Sequence, residues 1–269
     1  MRGTHRTFRL PLLLQTILLM GLVGALASCR SVEPAPAGPQ SMAPGLDAAR
    51  PSIVAITAII DAGPTPELAT KAQGWTGVRL AAAVQGSTRS AGTGFVIAPG
   101  GYILTAEHVV NDAVAIWVTT HAGEVQAAEL VAVNHEADLA LLKVDALDLP
   151  VLPRAAAAAQ RGDAVYALGN PGGRATCGEL ILTSGTVDEL GRVLRRLSRE
   201  EKRRYEGMIQ SKMAITPGDS GGPLLNARGE LVGMSAAAVL ASPTCNAYGY
   251  AFPADQAWHA KVAQLLPQH

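Results

Sequence analysis

The chain has 269 residues, enough for one or two domains with a sizeable core. Lys plus Arg and Asp plus Glu balance at 22 each, which removes the usual electrostatic reason to expect a nucleic-acid partner, since phosphate binding needs a net basic face. Apolar residues make up 48% of the chain, too many for a disordered protein, and with aromatics at only 4% the core has to be built mainly from Val, Leu, Ile and Ala.

In chain order, Arg2, Arg6 and Arg9 give a positive start, and an apolar run from Leu10 to Ala27 follows. That is the layout of a secretory signal. Leu26-Ala27-Ser28-Cys29 also looks like a bacterial lipoprotein signal, in which Cys29 becomes the lipidated first residue of the mature protein. An ordinary cleaved signal, or an anchor with Cys29 incidental, is the alternative. Residues 1–28 are thus read as a lipoprotein-type signal. Residues 29–49 are rich in Pro, Ala, Gly and Ser with no apolar period, and read as a semi-extended linker.

From Pro51 the pattern changes to short apolar runs punctuated by Gly, Pro, Asn and Asp. The first group predicts strands at Ser52–Ile60, Thr93–Ala98, Tyr102–Thr105, Ala113–Thr119, Val125–Asn134 and Leu139–Asp145. The second predicts Asp163–Leu168, Leu180–Asp188, Gly207–Ala214, Pro223–Asn226, Glu230–Val239 and Asn246–Phe252. Many short strands with turn signals between them indicate an all-β sandwich or barrel. Leu149–Gly162 is a natural seam between halves at about 50–150 and 160–253. Two segments do not read as strands. Arg192–Glu206 is dense in charge, with Val193, Leu194 and Leu197 on a partial helical face, and is expected to be a solvated surface helix; a regulatory or partner-binding loop is the alternative. Ala254–Leu266 has apolar residues at near-helical spacing and is expected to dock as a terminal helix.

The chemistry concentrates in Gly218-Asp219-Ser220-Gly221-Gly222-Pro223. A serine nucleophile needs its hydroxyl on a sharp, exposed turn with backbone N–H groups aimed at a developing oxyanion. In this turn, Gly218, Asp219 and Ser220 would form the oxyanion hole, with Gly218 and Ser220 the expected N–H donors. A serine hydroxyl also needs a base. Of six histidines, His5 lies in the signal and His269 is the last residue. His259 sits on the terminal helix, His121 in a hairpin turn and His135 just before Asp138. His108 ends a strand in the context Thr105-Ala106-Glu107-His108-Val109, which singles it out. Residues alone leave Asp112, Asp138 and Asp145 all open as the acid between His108 and Ser220. Neither Gly169–Gly173 nor Gly218–Gly222 carries the Lys-Ser/Thr of a nucleotide loop, and no metal-ligand spacing occurs, so no cofactor is expected.

Thr105–His108 resembles the Thr-Ala-Ala-His signature of trypsin-like serine peptidases, and Gly218–Pro223 matches their nucleophile signature residue for residue. Gly92–Thr105, His135–Val144, Ala167–Gly173, Leu182–Val187 and Asn246–Pro253 are similar to the bacterial HtrA/Deg subgroup. The resemblance covers about Arg50 to Pro253. It implies a chymotrypsin-like fold of two six-stranded antiparallel β-barrels, with a cleft between them. It also selects Asp138 as the third member of a triad with His108 and Ser220. Ala214 matches the base of the primary specificity pocket; lacking a carboxylate, and with apolar Ile215 beside it, it implies cleavage after small or medium aliphatic residues. Ala236-Ala237-Ala238 matches the strand that pairs with substrate backbone, and Gly249 matches a residue of the substrate-binding wall.

Several features depart from the pattern. Only sixteen residues follow Pro253, too few for the PDZ domain usual in the subgroup. Asp219 stands before the nucleophile, as in trypsin, where the subgroup commonly has Asn. Ser52-Ile53-Val54 loosely resembles an activation-released N-terminus but also matches the subgroup's first strand, so activation by cleavage is not expected. Cys177 and Cys245 are expected to form a disulfide bracing the pocket loops, with two free thiols the alternative. The expected partners are polypeptides, including unfolded proteins, and a membrane held through Cys29. Oligomeric state is left open. The competing function is a protease-fold binding protein, catalytically silent or active only with a partner.

Overall fold

Turn residues divide the chain into strands too short to bury a face alone, so pairing into closed sheets is the economical solution. The computed structural model describes residues 44–61, 75–76, 88–145, 147–173, 179–197, 202–240 and 247–267, all within one compact unit, 42–269. Each of the twelve predicted strands is present.

The first sheet contains β1 (Ile53–Asp61), β2 (Trp75–Thr76), β3 (Thr88–Ala98), β4 (Tyr102–Ala106), β5 (Ala115–Thr119), β6 (Glu124–Asn134) and β7 (Leu139–Lys143). Its order is β2-β6-β5-β1-β3-β4-β7, and pairing of β6 with β7 closes six of the strands into a barrel. The short β2 is an addition on the flank of β6 that sequence patterning did not predict. The second sheet is a closed barrel in the order β10-β13-β12-β11-β8-β9. Its strands are β8 (Ala164–Gly169), β9 (Ile181–Leu197), β10 (Lys202–Lys212), β11 (Pro223–Leu225), β12 (Leu231–Leu240) and β13 (Ala247–Pro253). All pairings between the named strands are antiparallel, and closure leaves few free sheet edges.

Three α-helices, α1 (Pro44–Ala49), α2 (Glu107–Val110) and α3 (Gln256–Leu265), and two short 3-10 turns, Arg50–Ser52 and Pro171–Gly173, complete the described elements. Asp255 caps α3, its side chain accepting from Trp258 N at 2.8 Å. Trp258, Val262 and Leu265 are its buried face, as the apolar spacing predicts. One buried cluster runs from the first barrel through Tyr205, Met234 and Phe252 to α3, and a second fills the other barrel around Val165, Ile209 and Leu224.

Two expectations are corrected. The described part of Arg192–Glu206 is not a helix: β9 continues to Leu197 and β10 begins at Lys202, so both ends of the segment extend the paired strands of the barrel. Leu194 pairs with Tyr205, Arg195 with Arg204 and Arg196 with Arg203. The barrel ladder of β9 and β10 already runs antiparallel, and extending it adds backbone hydrogen bonds that outweigh a weak helical face. The end of the proposed linker is ordered too: α1 buries Leu46 and Ala49, three residues apart on one helical face. The seam between the halves is a tie as well as a boundary. Leu152 N donates to Val96 O at 3.0 Å, and Leu231 N to Pro153 O at 2.8 Å, so the connector is sewn to both barrels.

Candidate active site

β4 carries the chain through Thr105 and Ala106 into α2, which begins at Glu107 and places His108 in its first turn. Asp138 ends the turn before β7, and β4 pairs with β7 through Ala106 and Leu139. This register brings the two side chains together. His108 Nδ1 meets Asp138 Oδ2 at 2.7 Å, and the His108 backbone N donates to Asp138 Oδ1 at 2.9 Å. Asp138 O also accepts from Glu107 N at 3.1 Å. Asp138 is fully buried while the His108 side chain keeps 16% exposure, so the acid is sealed and the imidazole keeps access to solvent. Burial pushes the Asp138 carboxyl up, but the hydrogen bonds and charge of His108, with a bond from Tyr205, hold it below the ordinary carboxylate value. Asp138 sits at φ 54°, a left-handed conformation uncommon outside glycine, held by these bonds.

Ser220 comes from the second barrel, in the turn before β11, and its residue is half-buried. That turn is fixed to the first barrel by Thr93 of β3. Thr93 N donates to Ser220 O at 2.9 Å, and Thr93 Oγ1 donates to Gly218 O at 2.7 Å. Asn170 N in turn donates to Thr93 Oγ1 at 3.0 Å, and Thr105 Oγ1 donates to Thr93 O at 2.8 Å. A single buried threonine thus joins β3, β4, the loop after β8 and the Ser220 turn. Gly221 lies at φ 80°, and a Cβ there would overlap Thr105 Oγ1, Thr93 O and Ala106 N. Only glycine lets the Ser220 turn approach the strand that leads to His108. Pro217 O accepts from Gly172 N at 2.6 Å. In a trans peptide the N–H points opposite the carbonyl, so the Gly218 N–H faces away from that loop. Among the described residues, neither the Gly218 nor the Ser220 N–H has an acceptor.

The Trypsin-like peptidase domain family matches residues 92–234, more than half of the chain. The chain belongs to that family. It is 37% identical over 163 residues to a probable periplasmic serine endoprotease, DegP-like, of Chlamydia trachomatis, covering 60% of this chain and 31% of that one. A protein of the same description from Hahella chejuensis is 38% identical over 170 residues, covering 63% of this chain and 34% of that protein. The chain therefore spans about a third of the length of the curated relatives it matches. A serine endoprotease from Yersinia pestis superposes with a TM-score of 0.59 at 27% identity, covering 84% of this chain and 66% of that one. A protease from M. tuberculosis in its active form gives a TM-score of 0.64 at 24% identity, a likeness of fold, over 84% of this chain and 86% of that one.

Within this family fold, Asp219 is satisfied locally. Its Oδ2 accepts from Thr216 N at 2.9 Å and from Thr216 Oγ1 at 3.0 Å. Ile53 is the first residue of β1 and pairs with Phe95, inside the sheet. Burial pushes the Asp219 carboxyl up, and the Thr216 bonds offset this only in part. Ala214 is exposed. Ile215 is buried in the second barrel's cluster and packs against Gly249, where a Cβ would come within 2.5 Å of its Cγ1. Ala236 is buried at an irregularity in β12, and Ala237 and Ala238 pair with Tyr250 and Gly249 of β13. From Ala236 onward the other edge of β12 meets no strand among the described residues. His135 Nδ1 lies 3.2 Å from Glu107 Oε1, beside the His108–Asp138 pair but outside it. Cys29, Cys177 and Cys245 lie outside the described residues. No group of three His, Cys, Asp or Glu able to hold a metal ion occurs among the described residues.

Residue patterning missed two participants. Thr93 lies within the Gly92–Thr105 stretch, but only the fold shows that its N–H and hydroxyl both reach the Ser220 turn. Tyr205 donates to Asp138 Oδ2 at 3.0 Å from within the charged segment read as a helix, and nothing in the sequence flags it.

Thr93→Val keeps shape and removes the hydroxyl, and with it the bonds to Asn170 N and Gly218 O. It is expected to cost about 2 kcal/mol of stability in denaturant melts and to reduce activity further than that loss of folded protein explains. Asp219→Asn keeps one oxygen for both Thr216 bonds. The folded state holds the Asp219 proton more tightly than the unfolded chain. The ionised carboxylate therefore costs stability above its raised pKa, and the cost fades as pH falls toward the ordinary range. The Asn variant is expected to unfold at a higher temperature than wild type at pH 7 and to lose that advantage near pH 4. An equal advantage at both pH values would contradict the assignment.

Proposed function

We propose that the chain is a serine endopeptidase that hydrolyses peptide bonds through an acyl-enzyme on Ser220. His108 takes the Ser220 proton as general base and returns it to the leaving amine. Asp138 fixes the imidazole tautomer and stabilises the imidazolium as it forms. The Gly218 and Ser220 N–H groups receive the oxyanion of the tetrahedral intermediate. The observation that carries this reading is the 2.7 Å bond from His108 to a fully buried Asp138, with the Ser220 turn joined to the same barrel by Thr93.

Substrate binds by strand addition to the open edge of β12 at Ala236–Ala238. The primary pocket takes small or medium aliphatic side chains. Ala214 supplies no carboxylate for Lys or Arg, and the packing of Ile215 against Gly249 supports a shallow, apolar floor. The relatives described as periplasmic support action in the bacterial envelope. Residues 1–28 serve as a lipoprotein signal, and Cys29 carries the lipid that holds the domain at a membrane through the linker. Unfolded envelope proteins are the substrate class in this reading, which gives the enzyme a role in protein quality control.

A fluorophosphonate probe is expected to label the wild-type protein and not Ser220→Ala. Absence of labelling on the wild type would favour a silent protease-fold binder instead. Asp138→Asn, which presents the wrong tautomer to Ser220, is expected to lower kcat by about ten-thousand-fold. On a peptide library, cleavage is expected after Ala, Val and similar residues; a dominant Lys or Arg preference would refute the pocket assignment.

A further inference from the structure

The buried acid Asp138 is held from two sides. His108 of the first barrel supplies one set of bonds. The second barrel supplies Tyr205, on β10, whose hydroxyl donates to Asp138 Oδ2 at 3.0 Å. That is the same oxygen that meets His108 Nδ1 at 2.7 Å. Tyr205 is 2% exposed. Phenylalanine would bury a similar apolar surface at this position without the need to satisfy a hydroxyl, so a tyrosine here is stabilising only if its hydroxyl has a good partner. Its partner is an ionised carboxylate, which makes the bond charge-assisted.

The ring is also aimed. It meets Phe252 of β13 edge to face, with centroids 5.1 Å apart and planes at 79°. The β9–β10 ladder loses register between Tyr205 and Gly207, and Gly207 lies at φ 71°. A bulge of this kind re-aims the side chain beside it, and here that side chain points inward to the other barrel. On its other side Tyr205 pairs with Leu194 of β9, which packs on the central cluster. Register, bulge and ring contact together fix where the hydroxyl oxygen sits.

We propose that Tyr205 is a positioning residue for the His108–Asp138 pair: its hydroxyl locks the Asp138 carboxylate in the rotation that directs Oδ2 at His108 Nδ1, and it does so from the opposite barrel. The proposal rests on the serine-peptidase reading for its kinetic consequence alone. The His108 backbone N–H holds Oδ1 and already opposes rotation about the Cβ–Cγ axis from that side. The Tyr205 hydroxyl adds a charge-assisted restraint at Oδ2, the oxygen that meets His108 Nδ1, so that turning the carboxylate away from the imidazole breaks one more bond to a charged group. Tyr205 thus also couples the mutual placement of the two barrels to the orientation of the base.

Tyr205→Phe tests this, because it keeps the ring against Phe252 and removes only the hydroxyl. Two readouts are taken on the full chain. The first is the low-field proton resonance of the His108 Nδ1–H···Asp138 bond, which is expected to shift and broaden in the variant. The second is turnover of a peptide selected from the library, where kcat is expected to fall about tenfold with KM unchanged, since Tyr205 does not face the substrate edge of β12. Tyr205→Leu, which loses the ring as well, is expected to show the same kcat loss plus a lower thermal midpoint. An unmoved resonance in Tyr205→Phe overturns the proposal whatever the kinetics, and so does an unchanged kcat. A wild-type protein without peptidase activity would defeat the functional reading, and the resonance would still decide the role of Tyr205.

Discussion

Ser220 and His108 belong to different barrels, so the site exists only if something fixes one barrel on the other at ångström precision. Thr93 is that joint. Its backbone N–H holds Ser220 O, its hydroxyl holds Gly218 O, and it receives bonds from Asn170 and Thr105. Each such bond contributes only about 1 kcal/mol net. The constraint comes from their geometry: four bonds at one fully buried residue cannot all be kept if the Ser220 turn moves. Gly221 completes the joint by allowing an approach that a side chain would forbid.

The acid is the second constraint. Burying an ionised carboxylate is costly unless its charge is compensated. Asp138 receives the His108 backbone and ring and the Tyr205 hydroxyl, and these hold it ionised against a desolvation that favours the neutral form. Its left-handed backbone is a further expense that the surrounding bonds sustain. Asp219, two residues from Gly221, shows the contrasting case. Among the described residues its carboxylate accepts from Thr216 alone, and there burial prevails. Two buried aspartates in one site are thus driven in opposite directions by the number and charge of their partners.

Much of this was legible in the sequence. Short apolar runs with turn residues between them marked twelve strands, and resemblance grouped them into two barrels. The Gly218–Pro223 turn carries its own mechanics, and the context of His108 separated it from His135, which lies beside the site on Glu107. Asp138 needed the family resemblance, because spacing could not rank it over Asp112 and Asp145. What escaped was tertiary. Arg192–Glu206 was read as a helix from its charge and partial period, whereas a ladder begun in the barrel carries it outward as strands. Tyr205 was hidden by that misreading. Thr93 was visible only as one residue of a glycine-flanked motif, since a hub of hydrogen bonds across the sequence leaves no local pattern. Residues 44–49 read as linker because so short a stretch cannot show a period, yet Leu46 and Ala49 are buried.

The family match over residues 92–234 runs from β3 of the first barrel into β12 of the second and takes in His108, Asp138 and Ser220. In the proposed mechanism Ser220, the Gly218 and Ser220 N–H groups and the His108–Asp138 pair converge on one carbonyl. A crystal structure of the protein after reaction with a fluorophosphonate tests that most directly. The account predicts phosphorus bonded to Ser220 Oγ and a phosphoryl oxygen about 2.7–3.1 Å from both the Gly218 and Ser220 nitrogens. It also predicts that Thr93 still bridges the turn and that the His108–Asp138 bond is intact. Phosphorus on another residue, or a phosphoryl oxygen turned away from those two nitrogens, would contradict it.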